Sequence, residues 1–277
     1  MFFGGHFWFY LYILDVYKIK IMNLNFQTSL SIPYTNNSQK IRAMSEPWTE
    51  QNIFCPNCWN KLSELENNQK VSDFLCKNCL ENYEQKASKH KFKNKVLSSE
   101  YYTLINRLQS IDKPNFFFLH YLDWIFSVND FFVVPKYFFV TEIIEKRKPL
   151  SSTARRAGWT GSNILFSKIP NSWKIYYIED WKVISKEKVL EKWQKTAFLK
   201  DIKKDDLKGW ILDIMNCVES LNKDKFNLDE IYAFEKDLQK LHSENNNIKA
   251  KIRQQLQFLR DKNYLEFLDK RGNYKIL

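Results

Sequence analysis

Apolar residues follow two different rhythms along this chain. Up to about residue 202 they come in short dense runs. "NFFFLHYL" and "FFVVPKYFFV" are nearly continuous, the pattern of strands buried on both faces. "VSDFL" and "NYEQKA" alternate instead, and "CKNC" lies between them, which predicts a hairpin with a tight turn at its tip. Tyr101, Leu104, Ile105 and Leu108 form one stripe at helical spacing, so a helix is predicted over about 99–110. From about 203 the rhythm becomes helical. Leu207, Trp210, Ile211, Ile214 and Val218 mark one helix. "FNLDEIYAFEKDLQKLH" marks a second with Asn227 as its N-cap, and Ile248, Ile252, Leu256 and Leu259 mark a third. "YLEFLDKRGNYKIL" then reads as two short strands around a turn.

Three helices and a hairpin make a winged helix. The expected division is therefore an α/β domain over 22–202 and a winged-helix domain over 203–277. Residues 1–21 stand apart. "MFFGGHFWFYLYIL" is apolar, but Asp15 and Lys18 interrupt it before membrane-spanning length. It has no basic n-region and no small-residue cleavage site. Met22 offers a second start, so 1–21 is expected to be a hydrophobic extension outside the fold.

Composition adds a partner. Of 277 residues, 44% are hydrophobic and 16% aromatic, ample for a packed core. Lys and Arg number 43 against 32 Asp and Glu, a net charge of +11. A globular chain this basic suits a large anion, and nucleic acid is the commonest. The plainer alternative is a generic basic surface.

Four of the five cysteines form two CxxC pairs: Cys55 and Cys58, then seventeen residues, then Cys76 and Cys79. This is zinc-ribbon spacing, in which each pair turns tightly and aims two thiolates at one point. Four thiolates leave no open position, so a zinc ion here would be structural. A redox CxxC needs no matched partner pair, and disulfides need an oxidising compartment. Cys217, within "WILDIMNCVESL", falls on an apolar helical face and reads as core.

The hairpin also carries acids. Glu84 and Lys86 share a face of the second strand while Gln85 points away, and the first strand can bring Asp73 beside them. Asp, ten residues, then Glu-x-Lys resembles the PD-(D/E)xK nuclease signature. Hydrolysis of a phosphodiester must neutralise developing negative charge. Two carboxylates can hold Mg2+ against the phosphate, a lysine can orient or help deprotonate the attacking water, and the Gln85 backbone carbonyl can add an oxygen ligand. Alone the spacing is weak, and a solvated charged hairpin would match it. The following helix and buried strands supply the order of a nuclease core. At about 3.3 Å per residue the cysteines fall roughly 10–16 Å from the acids, as a brace at the hairpin tip.

Two further segments suit DNA. "EKRKPLSSTARRAGWTGSN" combines Arg155 and Arg156 with Trp159 and two glycines, matching phosphate contact beside a flat apolar surface. On the third helix, Asn247, Ala250, Arg253, Gln254 and Gln257 lie opposite the apolar stripe, as base-edge readers would. A protein-binding winged helix is the alternative.

From Met22 to the end the chain resembles the methyl-directed type II restriction endonucleases of the Dam-replacing family. The stretches that carry the resemblance are "NSQKIRAMSEPW", "CPNC", "VSDF", "PNFFFL", "RKPLSSTARRAGW", "NNNIKAKIRQQLQFLRDK" and "RGNYKIL". The resemblance implies a zinc-containing PD-(D/E)xK domain followed by a winged helix. It implies Mg2+-dependent cleavage of double-stranded DNA at GATC sites methylated on adenine. Carried over, Asp73, Glu84 and Lys86 are the catalytic set, Asp73, Glu84 and the Gln85 carbonyl hold Mg2+, and Cys55, Cys58, Cys76 and Cys79 hold Zn2+. Gln85 stands where the family pattern has a leucine. Residues 1–21 have no counterpart. A cytoplasmic monomer with DNA as partner and no obligate protein partner is expected. The alternatives are a non-catalytic zinc and winged-helix regulator, or a nuclease for a differently modified site.

Overall fold

The computed structural model describes residues 22–65, 72–110, 112–202, 205–268 and 272–277; the extension 1–21 lies outside the described residues, as does the tip of the last turn at 269–271. The first helix, α1 (Asn37–Asn52), begins where the Asn36 side chain accepts from the Ser38 and Gln39 N–H groups. Three strands follow, β1 (Ser63–Glu64), β2 (Phe74–Leu75) and β3 (Asn82–Ser88). Next come β4 (Lys95–Glu100), α2 (Tyr101–Gln109), β5 (Asn115–Leu122) and β6 (Ser127–Val134). Then come β7 (Ile144–Lys146), β8 (Gly161–Leu165), β9 (Ile175–Glu179), β10 (Lys182–Val183) and α3 (Lys186–Thr196). The C-terminal part holds α4 (Asp205–Ser220), β11 (Lys225–Asn227), α5 (Leu228–Tyr232), α6 (Glu235–Leu241), α7 (Ile248–Asp261), β12 (Leu265–Phe267) and β13 (Asn273–Ile276).

A seven-stranded sheet in the order β1-β2-β3-β5-β6-β9-β10 forms the middle layer, with β3 and β5 parallel and the other pairs antiparallel. Alternation along β5 splits the core in two. Phe117, Leu119 and Tyr121 face a layer built from Met44 and Trp48 of α1, Cys55 and Cys76, and Val189 and Trp193 of α3. Phe116 and Phe118 face the other layer, which includes Leu104 and Leu108 of α2 and the small β4-β8-β7 sheet. Cover on both faces explains the unbroken apolar runs.

The helical part is a winged helix: α4, α5 with α6, and α7, closed by the β11-β13-β12 sheet. Ile248, Ile252, Leu256 and Leu259 of α7 point inward as the periodicity predicts. Cys217 is buried among them, and burial pushes its thiol up to about 12, so it is core. Asn227 does cap α5, reciprocally with Glu230. This part docks on the second layer without a break in the apolar core. Trp173 stacks on Tyr264 at 6.1 Å, and Glu219 of α4 accepts from the Asn171 and Ser172 N–H groups at 2.6 and 3.1 Å.

Two elements differ from the sequence pattern. "FFVVPKYFFV" is not one strand: β6 stops at Val134, because Pro135 has no N–H to continue the ladder, and the chain enters a 3-10 turn at Lys136–Phe138. Phe138 and Phe139 are buried all the same, so the apolar run marks burial rather than strand. The predicted second helix breaks at Ala233 and Phe234 into α5 and α6, and Ile231 and Leu238 are both in the core.

Candidate active site and metal centre

The two CxxC turns have the same backbone. In each, the residue after the second cysteine has positive φ, 67° at Trp59 and 62° at Leu80, and donates its N–H to the first cysteine's carbonyl at 2.8 Å. The first cysteine's N–H then bonds across the turn, Cys55 to the Asn60 carbonyl and Cys76 to the Glu81 carbonyl. Each turn thus presents both sulfurs on one side. The four Sγ atoms lie within 4.8 Å of one another, with Cys55 to Cys79 at 3.5 Å and Cys58 to Cys76 at 3.4 Å. Sulfurs bound tetrahedrally at a Zn–S distance of about 2.3 Å would be about 3.8 Å apart, so the donor set fits zinc. Burial pushes the Cys55 thiol far up, while at Cys58 burial is outweighed by backbone and asparagine N–H donors that bring it down to about 6. Tyr83 of β3 anchors the cluster to the sheet, its Oη 3.1 Å from Cys55 Sγ.

The next residue along β3, Glu84, faces the opposite side, into a cleft of about 1140 Å3. Asp73, Glu84, Lys86, Arg42, Glu46 and Arg107 are among its lining residues. Asp73 closes onto β3 through Oδ2, which accepts the Gln85 N–H at 2.7 Å, and its own N–H bonds to the Tyr83 carbonyl. Its other oxygen lies 3.4 Å from Arg42 Nη2. Burial, and secondarily the charge of Glu84, raises the Asp73 carboxyl despite the Gln85 N–H and the Arg42 and Lys86 cations. Glu84 is also buried, but there Lys86 at 2.5 Å and Arg107 at 2.6 Å outweigh burial and hold the carboxyl below its usual range. Glu46 pairs with Arg42 Nε at 2.7 Å, yet burial and the nearby Asp73 charge push it up to about 7. Burial thus makes Asp73 and Glu46 harder to ionise, despite the cations beside them.

Gln85 turns its side chain to the other face, where the amide bonds Thr49 at 2.7 Å and Ser45 at 3.0 Å on α1. In a strand the N–H and C=O of one residue point the same way. The N–H bond to Asp73 therefore turns the Gln85 carbonyl toward the acid side of β3.

The residues singled out for DNA fall into two groups. Arg155 and Arg156 are exposed, and Trp159 is half-buried with the Arg156 guanidinium 4.7 Å from its ring. A Cβ at Gly161 would come within 2.8 Å of the Trp159 ring, so the indole lies directly against glycine backbone. Asn247, Ala250, Arg253, Gln254 and Gln257 are all exposed along α7, with Arg253 bonded to the Tyr232 hydroxyl at 2.7 Å.

Arg42, Glu46 and Arg107 escaped the reading of the sequence. Arg107 follows Leu104 by three positions and precedes Leu108, so it flanks the inward stripe of α2, a position that could have marked it. Residues 22–202 match the model of the Dam-replacing family, and residues 206–276 match the model of the Dam-replacing HTH domain. Among the described residues, no helix is long and apolar enough to cross a membrane.

Proposed function

The chain belongs to the Dam-replacing family of restriction endonucleases, and from that premise we propose that it cleaves double-stranded DNA at GATC sites methylated on adenine, using Mg2+. The observation that carries the reading is the pairing of Asp73 with the Gln85 N–H, which gathers Asp73, Glu84 and Lys86 at one cleft. Asp73, Glu84 and the Gln85 carbonyl would hold the cation. Oxygen donors of this kind suit a hard divalent ion, and an ion bound there would favour the ionised form of the Asp73 and Glu46 carboxyls that burial disfavours. Mg2+ supplies charge stabilisation for the phosphate and a more acidic water. Lys86 orients that water and helps remove its proton. The four cysteines hold structural Zn2+ and brace β3 from its other face.

Recognition is assigned to two regions, 22–202 with the catalytic site and 203–277 with the α7 face. Arg155 and Arg156 contact phosphates, and Trp159 covers the methyl groups. Each buried methyl carbon is worth about 0.8 kcal/mol, so two on a palindrome give roughly twice that preference. Asn247, Arg253, Gln254 and Gln257 read base edges from α7. The protein acts as a cytoplasmic monomer on DNA without an obligate protein partner.

Digesting one plasmid, prepared with and without adenine methylation at GATC, in Mg2+ tests the proposal. Cutting confined to methylated DNA at GATC is expected. Binding without cutting would instead identify a DNA-binding regulator. Cutting at other sites would leave the chemistry and refute the site.

A further inference from the structure

Glu84 is held at both oxygens, by cations from different elements. Lys86, on the same strand, takes Oε1, and Arg107, on α2, takes Oε2. The two cations differ in what else holds them. Lys86 ends in a flexible stem beside the Phe116 ring, 6.0 Å from its centroid. Arg107 presents one nitrogen to Glu84, while its Nε and Nη2 are buried with no hydrogen-bond partner. Burying unpaired donors costs on the order of 1–3 kcal/mol each. The cost is not needed to dock α2, which Leu104 and Leu108 already anchor in the core. A side chain kept at such a cost, with a single ion-pair contact to a buried carboxylate in the cleft, points to a task at that carboxylate.

We infer that Arg107 is a positioning residue for cleavage: it fixes Glu84 through Oε2 and so reserves Oε1 for exchange between the Lys86 ammonium and the catalytic cation. The inference rests on the nuclease reading above. Were a cation to take Oε1, Lys86 would be freed from it, and Arg107, still paired with Oε2, would keep the carboxylate from rotating. Without Arg107 both oxygens are open to Lys86. Glu84 then has no fixed orientation, and the lysine has no reason to leave.

The test compares Arg107→Met, which removes the charge but keeps a long side chain, with Arg107→Lys. Single-turnover cleavage of a methylated duplex gives the rate. Binding of that duplex with Ca2+ in place of Mg2+ gives the affinity, and zinc content reports the fold. The electron paramagnetic resonance spectrum of bound Mn2+ reports the ligand arrangement without reference to activity. Arg107→Met is expected to cleave about 100-fold more slowly, the scale of an ångström-sized misplacement. Its DNA affinity and zinc content should stay within about twofold of the parent protein, and its Mn2+ spectrum should change. Arg107→Lys should recover about tenfold of the loss, because it restores charge without the planar fork. Cleavage by Arg107→Met within about threefold of the parent, with an unchanged Mn2+ spectrum, overturns the inference. So does a rate loss matched by equal losses of zinc and DNA binding, which would make Arg107 structural. If the parent cuts no duplex, the nuclease reading fails and the role in cleavage falls with it. Mn2+ then tests the carboxylate positioning separately: it is supported if Glu84→Ala loses the bound-ion signal and Arg107→Met alters it, and overturned if Arg107→Met leaves the signal unchanged.

Discussion

The cysteine cluster and the carboxylate cluster grow from the same hairpin and obey opposite rules. The sulfurs are close enough for every one to meet a single ion, and both turns that carry them are fixed by identical backbone hydrogen bonds. The carboxylates of the cleft are instead held by side-chain ion pairs to Lys86, Arg42 and Arg107, and two of them, Asp73 and Glu46, are raised by burial. A closed site spends its ligands on holding the chain. An open one leaves negative charge for a cation and substrate to complete.

The comparison can be broken most forcefully at the cysteines. Cys76→Ser should unfold the N-terminal part, losing much of the roughly 10 kcal/mol that a structural zinc contributes. Thermal melts with parallel zinc assays would check this, and a stable zinc-free mutant that still cleaves would refute the structural role. At the other cluster, Lys86→Ala or Asp73→Ala should lower the cleavage rate by about 10^2–10^4-fold while leaving the melting temperature and DNA affinity nearly unchanged. Mild EDTA should likewise stop cleavage, and Mg2+ should restore it while zinc stays bound.

A third experiment sharpens the contrast through pH. Glu46 is raised in the folded protein to about 7, chiefly by burial, from an ordinary value of 4.5. A raised carboxyl favours its protonated form in the folded state, so the zinc-bound protein without Mg2+ loses stability as pH rises from about 4.5 through 7. Glu46→Gln should therefore stabilise that protein at pH 8 by on the order of 1–3 kcal/mol and change little near pH 4. Denaturant titration at both pH values measures it, and equal effects at both would exclude the charge as the cause.

The smallest effect concerns recognition rather than either metal. Trp159→Ala should reduce affinity for methylated GATC by roughly 1–3 kcal/mol and leave affinity for unmodified DNA nearly constant. Fluorescence-anisotropy titrations with both duplexes read the difference. An unchanged methyl preference with a lower melting temperature would make the indole a packing residue under its loop.

Much of the arrangement was legible because its signals are local. CxxC spacing, the Asp73 to Glu84 interval and the α7 stripe each reside in a few adjacent residues, and strand alternation alone assigns Tyr83 and Glu84 to opposite faces. What escaped depends on contacts across long stretches of chain. Arg42 reaches Asp73 over 31 positions and Arg107 reaches Glu84 over 23, so neither pair leaves a local pattern. α1 escaped too. Its Pro47 argues against a helix, yet Met44 and Trp48 are buried against the sheet on either side of it. Tertiary packing overrides that preference.

The face-by-face division of β3 sets which kinds of genetic change this protein can absorb. A substitution at Tyr83 or Glu84 touches one side of the strand and leaves the other side's chemistry in register. Deleting or inserting a single codon between Cys79 and Tyr83 would exchange the sides together, sending the carboxylate toward the sulfurs and the phenol toward the cleft. Both clusters would be lost in one step. In a pool of random variants, length changes in this three-residue interval should be purged far more sharply than any point change within it.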